Sequence, residues 1–342
     1  MPLEGRVRTS YLKEDCEEFA VKLASITDIS PYNTEQLGTM IVSGFRSGDV
    51  ESELRSNRWH IKNIDGWFNQ KVLPNTVVLT KEDYKVALFS AFKLLILGKI
   101  AKTDFGTSRQ RDFGHMWTDF TRGYLGEIGI KKFMNKRLKL DVKLEEVRVG
   151  DVKEFIQRDI VKVKDGQNVR DVRAKISIKT SKLNAIWLDI GNQIGHSDFF
   201  IFMKIGLKTD HYPTYMKESG AVELLLKSAV SAGEIPKEKF EEAKNELYAK
   251  IPDFRALPAY VAGYVSKQDL EEGELEVEEW TTKKRNGTEE TARMVIGGRG
   301  YYDTDTADEV LGIGDIGTGK HLASISSLRW KQEDWNTIKE KI

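Results

Sequence analysis

DIVKVKDGQNVRDVRAKISIKTSK, residues 159–182, is the stretch that decides the fold. Apolar and polar residues alternate after Asp159, the pair Asp165-Gly166 has the chemistry of a tight turn, and alternation resumes over residues 172–180. Two alternating runs joined by such a turn predict a β-hairpin of two antiparallel strands.

The predicted hairpin brings polar groups together. Side chains in a strand repeat with a period of two, so Ser177 and Lys179 are expected on one face and Ile178 on the other. Asp159 would stand at the start of the neighbouring strand. A lysine ammonium beside a carboxylate at the end of a sheet suits metal-assisted hydrolysis of a phosphodiester.

Four pieces of this chain carry a resemblance to a known family. They are Asp159, the triplet Ser177-Ile178-Lys179, the continuation over residues 180–189, and Glu127 in a helix-like segment upstream. Together they resemble the PD-(D/E)XK nucleases, and specifically the type II restriction endonucleases. The resemblance spans roughly residues 115–207, and the two ends of the chain are not covered.

The resemblance implies an α/β fold with a mixed-sheet nuclease core flanked by helices, and we place this core at residues 111–215. Outside it, apolar spacing predicts a helical N-terminal addition over residues 1–110. Helical spacing followed by short alternating pieces predicts a helical and β-rich C-terminal addition over residues 216–342, which we expect to recognise DNA.

The resemblance also implies a set of roles. Asp159 would be the central Mg²⁺ ligand, Ile178 would contribute its carbonyl, and Glu127 would bind the metal directly or through water. Lys179 would orient or deprotonate the attacking water, and Ser177 could hold a metal-bound water. The family usually has Asp or Glu where this chain has Ser177, so Glu127 is expected to supply the missing carboxylate.

Three other aspartates are alternatives to these carboxylates. Asp171 shares strand parity with Ser177, but six residues of strand separate them by about 20 Å, which argues against it. Asp189 and Asp198 each lie at a predicted strand terminus, and either could replace the carboxylate that Ser177 lacks.

Composition limits the class of protein. The 342 residues are 40% hydrophobic and 31% charged, which is ordinary for a globular protein with a sizeable core. Lys and Arg number 53, and so do Asp and Glu, so net charge neither requires nor excludes a nucleic-acid partner. The single cysteine, Cys16, excludes an internal disulfide framework. With no signal-like N-terminus and no long apolar run, we expect a cytoplasmic protein with no membrane partner.

Two segments are predicted to be helices next to the site. Residues 81–100 are apolar on most sides and are expected to be mostly buried. Residues 115–138 have helical spacing, with Glu127 at the edge of the apolar stripe. Glycines recur there at positions 123, 126 and 129, which leaves a bare face for close approach of another backbone.

A glycine-rich run at residues 314–320 matches the spacing of a phosphate-binding loop. However, His321 stands where such a loop needs a hydroxyl, and no buried strand precedes the glycines. We therefore expect a turn and no nucleotide cofactor.

Three basic or polar segments are candidates for contact with double-stranded DNA. Their residues are Arg109, Arg111, Lys182, Asn184, Lys284 and Arg285. The leading hypothesis is a Mg²⁺-dependent, site-specific DNA endonuclease, and cutting both strands of a palindrome predicts a homodimer. The alternatives are a repair or structure-specific nuclease, and a catalytically inactive DNA-binding protein.

Overall fold

The structure is a computed structural model. It describes residues 17–18, 21–22, 34–55, 58–97, 112–144, 159–165, 168–208, 211–283, 287–303, 309–310 and 319–342. The described helices are α1 (Thr34–Arg46), α2 (Ile64–Trp67), α3 (Lys81–Leu97), α4 (Phe113–Phe133), α5 (His211–Glu218), α6 (Ala221–Ser231), α7 (Phe240–Lys250), α8 (Lys267–Glu271) and α9 (Gln332–Lys341). The strands are β1 (Ser52–Arg55), β2 (Arg58–Ile61), β3 (Thr76–Leu79), β4 (Asp141–Leu144), β5 (Ile160–Asp165), β6 (Asn168–Asp171), β7 (Ile176–Lys182), β8 (Trp187–Gly191), β9 (Phe199–Ile205), β10 (Leu257–Ser266), β11 (Leu275–Lys283), β12 (Glu289–Tyr302), β13 (Glu309–Val310) and β14 (Lys320–Ser324).

A four-stranded mixed sheet, in the order β3-β10-β9-β7, forms the centre. β7 runs parallel to β9, and the other two pairings are antiparallel. β9 is apolar almost throughout and is buried from Phe200 to Ile205, as expected for a strand covered on both faces. The protein is therefore a mixed α/β fold, as the sequence predicts.

The two faces of this sheet contribute to different cores. Lys179, Phe202 and the neighbouring apolar residues face one side, where α1 and the segment around Trp67 pack. Ile178 and Met203 face the other side, where α4 packs. Alternation along β7 therefore assigns each of its residues to one layer or the other.

Glycines in α4 allow that helix to approach the sheet closely. A Cβ atom on Gly126 would lie 2.9 Å from Cβ of Thr180 and would overlap its hydroxyl oxygen. A Cβ on Gly129 would lie 2.6 Å from Sδ of Met203. Gly123 has open space around it. Gly126 and Gly129 thus leave room for close neighbours, but these neighbours are side chains of the sheet and not the backbone that the sequence predicts.

A second sheet, in the order β11-β12-β14-β8, adjoins the first, with β13 parallel to β12. Two smaller sheets complete the described strands: β4-β5-β6 and the pair β1-β2. β8 joins the second sheet while following β7 directly in the chain, which brings both sheets to the region around Lys179.

The predicted hairpin is confirmed only in its first half. β5 and β6 pair antiparallel, but the chain bends at residues 173–174 and then enters the central sheet as β7. Placing Ser177 and Lys179 on the second strand of the hairpin was therefore wrong. Val172 and Ala174 are buried at the bend, and their burial stabilises the segment in which the chain passes from the β4-β5-β6 sheet to the central sheet.

The prediction that residues 81–100 form a mostly buried helix was also wrong in part. α3 buries one face, with Ala87 and Leu88 fully covered, but Phe89 is 63% exposed and Val86 is 57% exposed. The buried face of α3 packs against α4, and apolar composition alone does not predict which face of a helix is buried.

Candidate functional site

Asp159 is held against the edge of β7, the terminal strand of the central sheet. Its backbone N–H donates to the carbonyl of Ile176 at 2.9 Å, and its carboxylate oxygen Oδ2 accepts from the backbone N–H of Ile178 at 2.5 Å. The N–H and C=O of one strand residue point to the same side. The carbonyl of Ile178 therefore faces the same edge as the Asp159 carboxylate.

Lys179 follows on the next position of β7. Its ammonium group donates to Oε1 of Gln193, in the turn after β8. Burial lowers the pKa of Lys179, and the carboxylates of Asp159 and Asp189 act in the opposite direction. An ammonium group with a lowered pKa, beside two carboxylates, is suited to holding or accepting a proton.

Asp189, on β8, is the second carboxylate of this site. Its Oδ1 accepts from the backbone N–H of Gly191 at 2.8 Å, and its Oδ2 lies 3.7 Å from Nζ of Lys320. Lys320 begins β14, which pairs with β8. The lysine of the glycine-rich run thus lies beside Asp189 at the candidate site.

Glu127 lies on α4, which packs on the face of the sheet opposite Lys179. The residue is buried, with 6% of its surface exposed. The carboxylates that act on the charge of Lys179 are those of Asp159 and Asp189. A metal-binding role for Glu127 stays a prediction.

The other candidates take different positions. Ser177 is half-buried and pairs in register with Phe200 of β9. Asp198 accepts from the backbone N–H of Lys175 at 2.8 Å, at the beginning of β7 and β9. Asp171 belongs to the β4-β5-β6 sheet. Of the three alternative aspartates, Asp189 is the one whose charge favours the charged form of Lys179.

The oxygen groups around Lys179 are compatible with a hydrated magnesium ion. Mg²⁺ is typically held by one or two carboxylates and keeps several waters. Asp159, Asp189 and the Ile178 carbonyl provide that kind of donor. Within the described ranges, no three His, Cys, Asp or Glu side chains come together. These residues do not form a closed cage such as structural zinc requires, and a Mg²⁺ site beside Lys179 stays a prediction.

Two of the predicted DNA contacts lie near this site. Lys182 is exposed at the end of β7, and Asn184 is exposed in the turn that follows. The other four, at positions 109, 111, 284 and 285, lie outside the described residues.

Gln193 is a site residue that the sequence analysis missed. It follows a strand in a glycine-containing turn, and a glutamine in such a turn has no spacing that distinguishes it from a surface residue. Only the return of β8 beside β7 brings its amide to Lys179.

Comparison with models of protein families, with curated proteins and with solved structures finds no match. In the part of the chain that the structure describes, no helix has the length and apolar character needed to cross a membrane.

Proposed function

We propose that this chain is a Mg²⁺-dependent endonuclease that cuts double-stranded DNA at a specific sequence, as type II restriction endonucleases do. The observation that supports it is the position of Asp159 at the edge of β7, where its carboxylate accepts from the amide of Ile178, the residue before Lys179. The charge of this carboxylate favours the charged form of the half-buried Lys179 ammonium.

In this proposal Asp159, Asp189 and the Ile178 carbonyl would hold Mg²⁺, with Glu127 as a further candidate ligand. Bound metal supplies a more acidic water and neutralises charge on the phosphate. Lys179 orients the attacking water or takes its proton, and its charged form offsets the negative charge that develops on the phosphate. Gln193 fixes the ammonium in position by accepting its hydrogen bond.

Recognition of DNA is the less defined part of the proposal. Lys182 is exposed at the end of β7, and Asn184 is exposed in the turn that follows. Both could contact a phosphate or a base edge of DNA. A two-fold symmetric pair of sites suits a palindromic sequence, so the functional unit in this proposal is a homodimer.

Plasmid cleavage tests the proposal directly. Purified protein is incubated with supercoiled plasmid and Mg²⁺, beside reactions with chelator and with Asp159→Asn. Asp171→Asn is the matched control, because it makes the same change in the neighbouring sheet. We expect discrete fragments from the wild type and Asp171→Asn, and none from Asp159→Asn or with chelator. Discrete cutting by Asp159→Asn would contradict the assignment.

Ser177 favours a second candidate, a catalytically inactive DNA-binding protein. A hydroxyl stands where the related nucleases usually have a carboxylate, and it carries no charge for a metal ion. Sequence-specific binding without any cleavage would support this candidate. Cleavage of branched or mismatched DNA alone would favour a repair nuclease instead.

A further inference from the structure

A cavity of about 260 Å³ lies outside the site described above. Its walls include Asp49, Asn63, Trp67, Gln70, Lys71 and Trp330. Asp159, Lys179, Asp189 and Gln193 are not among its lining residues. The proposed nuclease chemistry uses none of the groups in its walls.

A buried ion pair forms the floor of the cavity. Asp49 and Lys71 are in contact, and their side chains are only 4% and 2% exposed. The second carboxylate oxygen of Asp49 accepts from the indole N–H of Trp67 at 2.8 Å. Each oxygen of Asp49 therefore has a donor, Trp67 on one and Lys71 on the other.

A second lysine lies behind this pair. Lys204 is 1% exposed and donates to Oγ of Ser43 at 2.7 Å. Burial lowers the pKa of both Lys71 and Lys204. The carboxylate of Asp49 favours the charged form of Lys204, whereas the ammonium of Lys71 disfavours that form. The two lysine side chains thus share Asp49 as their neighbouring carboxylate.

Hydrogen-bond donors dominate the wall. Lys71 has three N–H donors, of which one goes to Asp49, and its ammonium lies 5.1 Å from the centre of the Trp330 ring. Asn63 uses Oδ1 to accept from the amide of Gly66 at 3.0 Å, so its NH₂ group is the part left for a ligand. Asn63 also holds a left-handed backbone, with φ of 45°, an uncommon conformation for a residue other than glycine.

The rim adds little net charge. The carboxylate of Glu51 lies 3.7 Å from the ammonium of Lys62, so these two exposed groups offset each other. The ligand preference of the cavity is therefore set by its floor and its donor-rich wall.

We propose that this cavity binds a small phosphate monoester of the size of a nucleoside monophosphate. The phosphate would accept hydrogen bonds from Lys71 and Asn63, because charge-assisted bonds to an oxyanion match this donor set. The organic part would lie against Trp330 and Gln70. The volume is below the usual range for larger organic ligands, which favours a compact molecule.

Binding is tested without any cleavage readout, so its failure is separate from failure of the nuclease proposal. Inorganic phosphate, deoxyadenosine monophosphate and deoxyadenosine are titrated calorimetrically at constant ionic strength. We expect the monophosphate to bind more tightly than phosphate, and the nucleoside to bind least. Equal heats for nucleoside and monophosphate, or no binding by the wild type, would overturn the proposal.

Variants then assign the binding to the cavity. Lys71→Met alone would leave Asp49 buried without its partner, so the informative change is Asp49→Asn with Lys71→Met. We expect this pair to weaken monophosphate binding at least about tenfold, as loss of one charged hydrogen bond predicts. Gln70→Leu, at an exposed wall position, should weaken it less, and Lys341→Met is the distant control. Unchanged affinity in both cavity variants would overturn the assignment.

A last arm distinguishes the source of the phosphate. A short duplex with 5′-phosphates competes with the monophosphate if a DNA end can enter the cavity, and the unphosphorylated duplex does not. Absence of competition assigns the site to free monoesters. Competition by both duplexes alike would contradict recognition of a terminal phosphate.

Discussion

Lys179 is the residue whose surroundings bear most directly on the proposed chemistry. The carboxylates of Asp159 and Asp189 favour its charged form, and its hydrogen bond to Gln193 fixes the ammonium. We expect Lys179→Ala to reduce DNA cleavage at least about 100-fold, the range for loss of a general acid or base. Binding of DNA measured in Ca²⁺ should change little, because the lysine acts on the reacting phosphate.

Lys182→Ala is the control for this prediction, since Lys182 is an exposed lysine at the end of the same strand. Its loss should weaken DNA binding and leave the single-turnover rate at saturating protein nearly unchanged. If Lys179→Ala cleaves at close to the wild-type rate, the active-site assignment is wrong.

The carboxylate that compensates for Ser177 can be identified by rate. Asp189 acts on the charge of Lys179, whereas Glu127 lies on the helix across the sheet. We therefore expect Asp189→Asn to cost about 100-fold in single-turnover rate, or a few kcal/mol of transition-state stabilisation. Ser177→Ala should be mild, because the hydroxyl at most positions water.

Glu127→Gln provides the comparison. A larger loss for Glu127→Gln than for Asp189→Asn would return the compensating role to the helix, as the sequence resemblance implies. Thermal unfolding of each variant separates a loss of catalysis from a loss of fold.

Lys204 predicts a pH dependence of stability. Its folded-state pKa is lowered by burial to about 7, from 10.5 for an exposed lysine. Between these values the unfolded chain holds a proton that the folded chain lacks, so this residue makes stability rise with pH. The contribution is up to about 1.4 kcal/mol per pH unit, and below pH 7 it levels off.

Denaturant unfolding at pH 6, 7, 8 and 9 measures this effect. Lys204→Met should make the rise less steep, because methionine fills similar space without a proton to bind. Lys208→Met is the control at an exposed position. Parallel stability curves for wild type and Lys204→Met would rule out the lowered pKa.

At the level of secondary-structure elements, the close packing of α4 on β7 depends on the absence of a side chain at Gly126. Gly126→Ala would bring a methyl group into Thr180, so we expect a loss of about 1–3 kcal/mol in the free energy of unfolding. Gly123→Ala is the matched control on the same helix, and nothing lies within 4 Å of its Cβ position. It should gain roughly 0.5–1 kcal/mol, because alanine favours the helix.

Urea unfolding of both variants tests this pair. The opposite signs are the decisive result, since helix propensity alone would make both changes stabilising. A stable Gly126→Ala would mean that α4 sits further from β7 than the structure has it.

At the scale of the whole molecule, the central sheet draws its strands from distant parts of the chain. β10, at Leu257–Ser266, lies between β3 and β9 and is buried almost throughout. We expect a fragment of residues 111–215, which contains β7 and β9 but not β10 or β3, not to fold alone. The exposed apolar face of β9 would favour aggregation.

Circular dichroism and thermal unfolding of that fragment, compared with the full chain, provide the measurement. A cooperative transition in the fragment would show that the central part is an independent domain. Addition of residues 216–342 in trans offers a further test, since a folded complex would confirm that β10 is the missing element.

The sequence alone determined the local features of this protein. Alternation predicted β5, unbroken apolar character predicted the buried strand β9, and helical spacing predicted α4. These features depend on residues that are close in the sequence, so the periodic spacing of apolar residues predicts them directly. It also identified Asp159, Ile178 and Lys179 as candidates to lie together, on the strength of a family resemblance.

Only the tertiary structure decided which strands and side chains come together. Nothing local shows that the chain leaves the hairpin sheet at residues 173–174, that β8 returns beside β7, or that Asp189 and Gln193 reach Lys179. Burial of one face of α3, and of Lys71 with Asp49, likewise depends on which elements pack against them. Pairings between residues far apart in the chain are set by the packing of whole layers, and no short-range pattern encodes that packing.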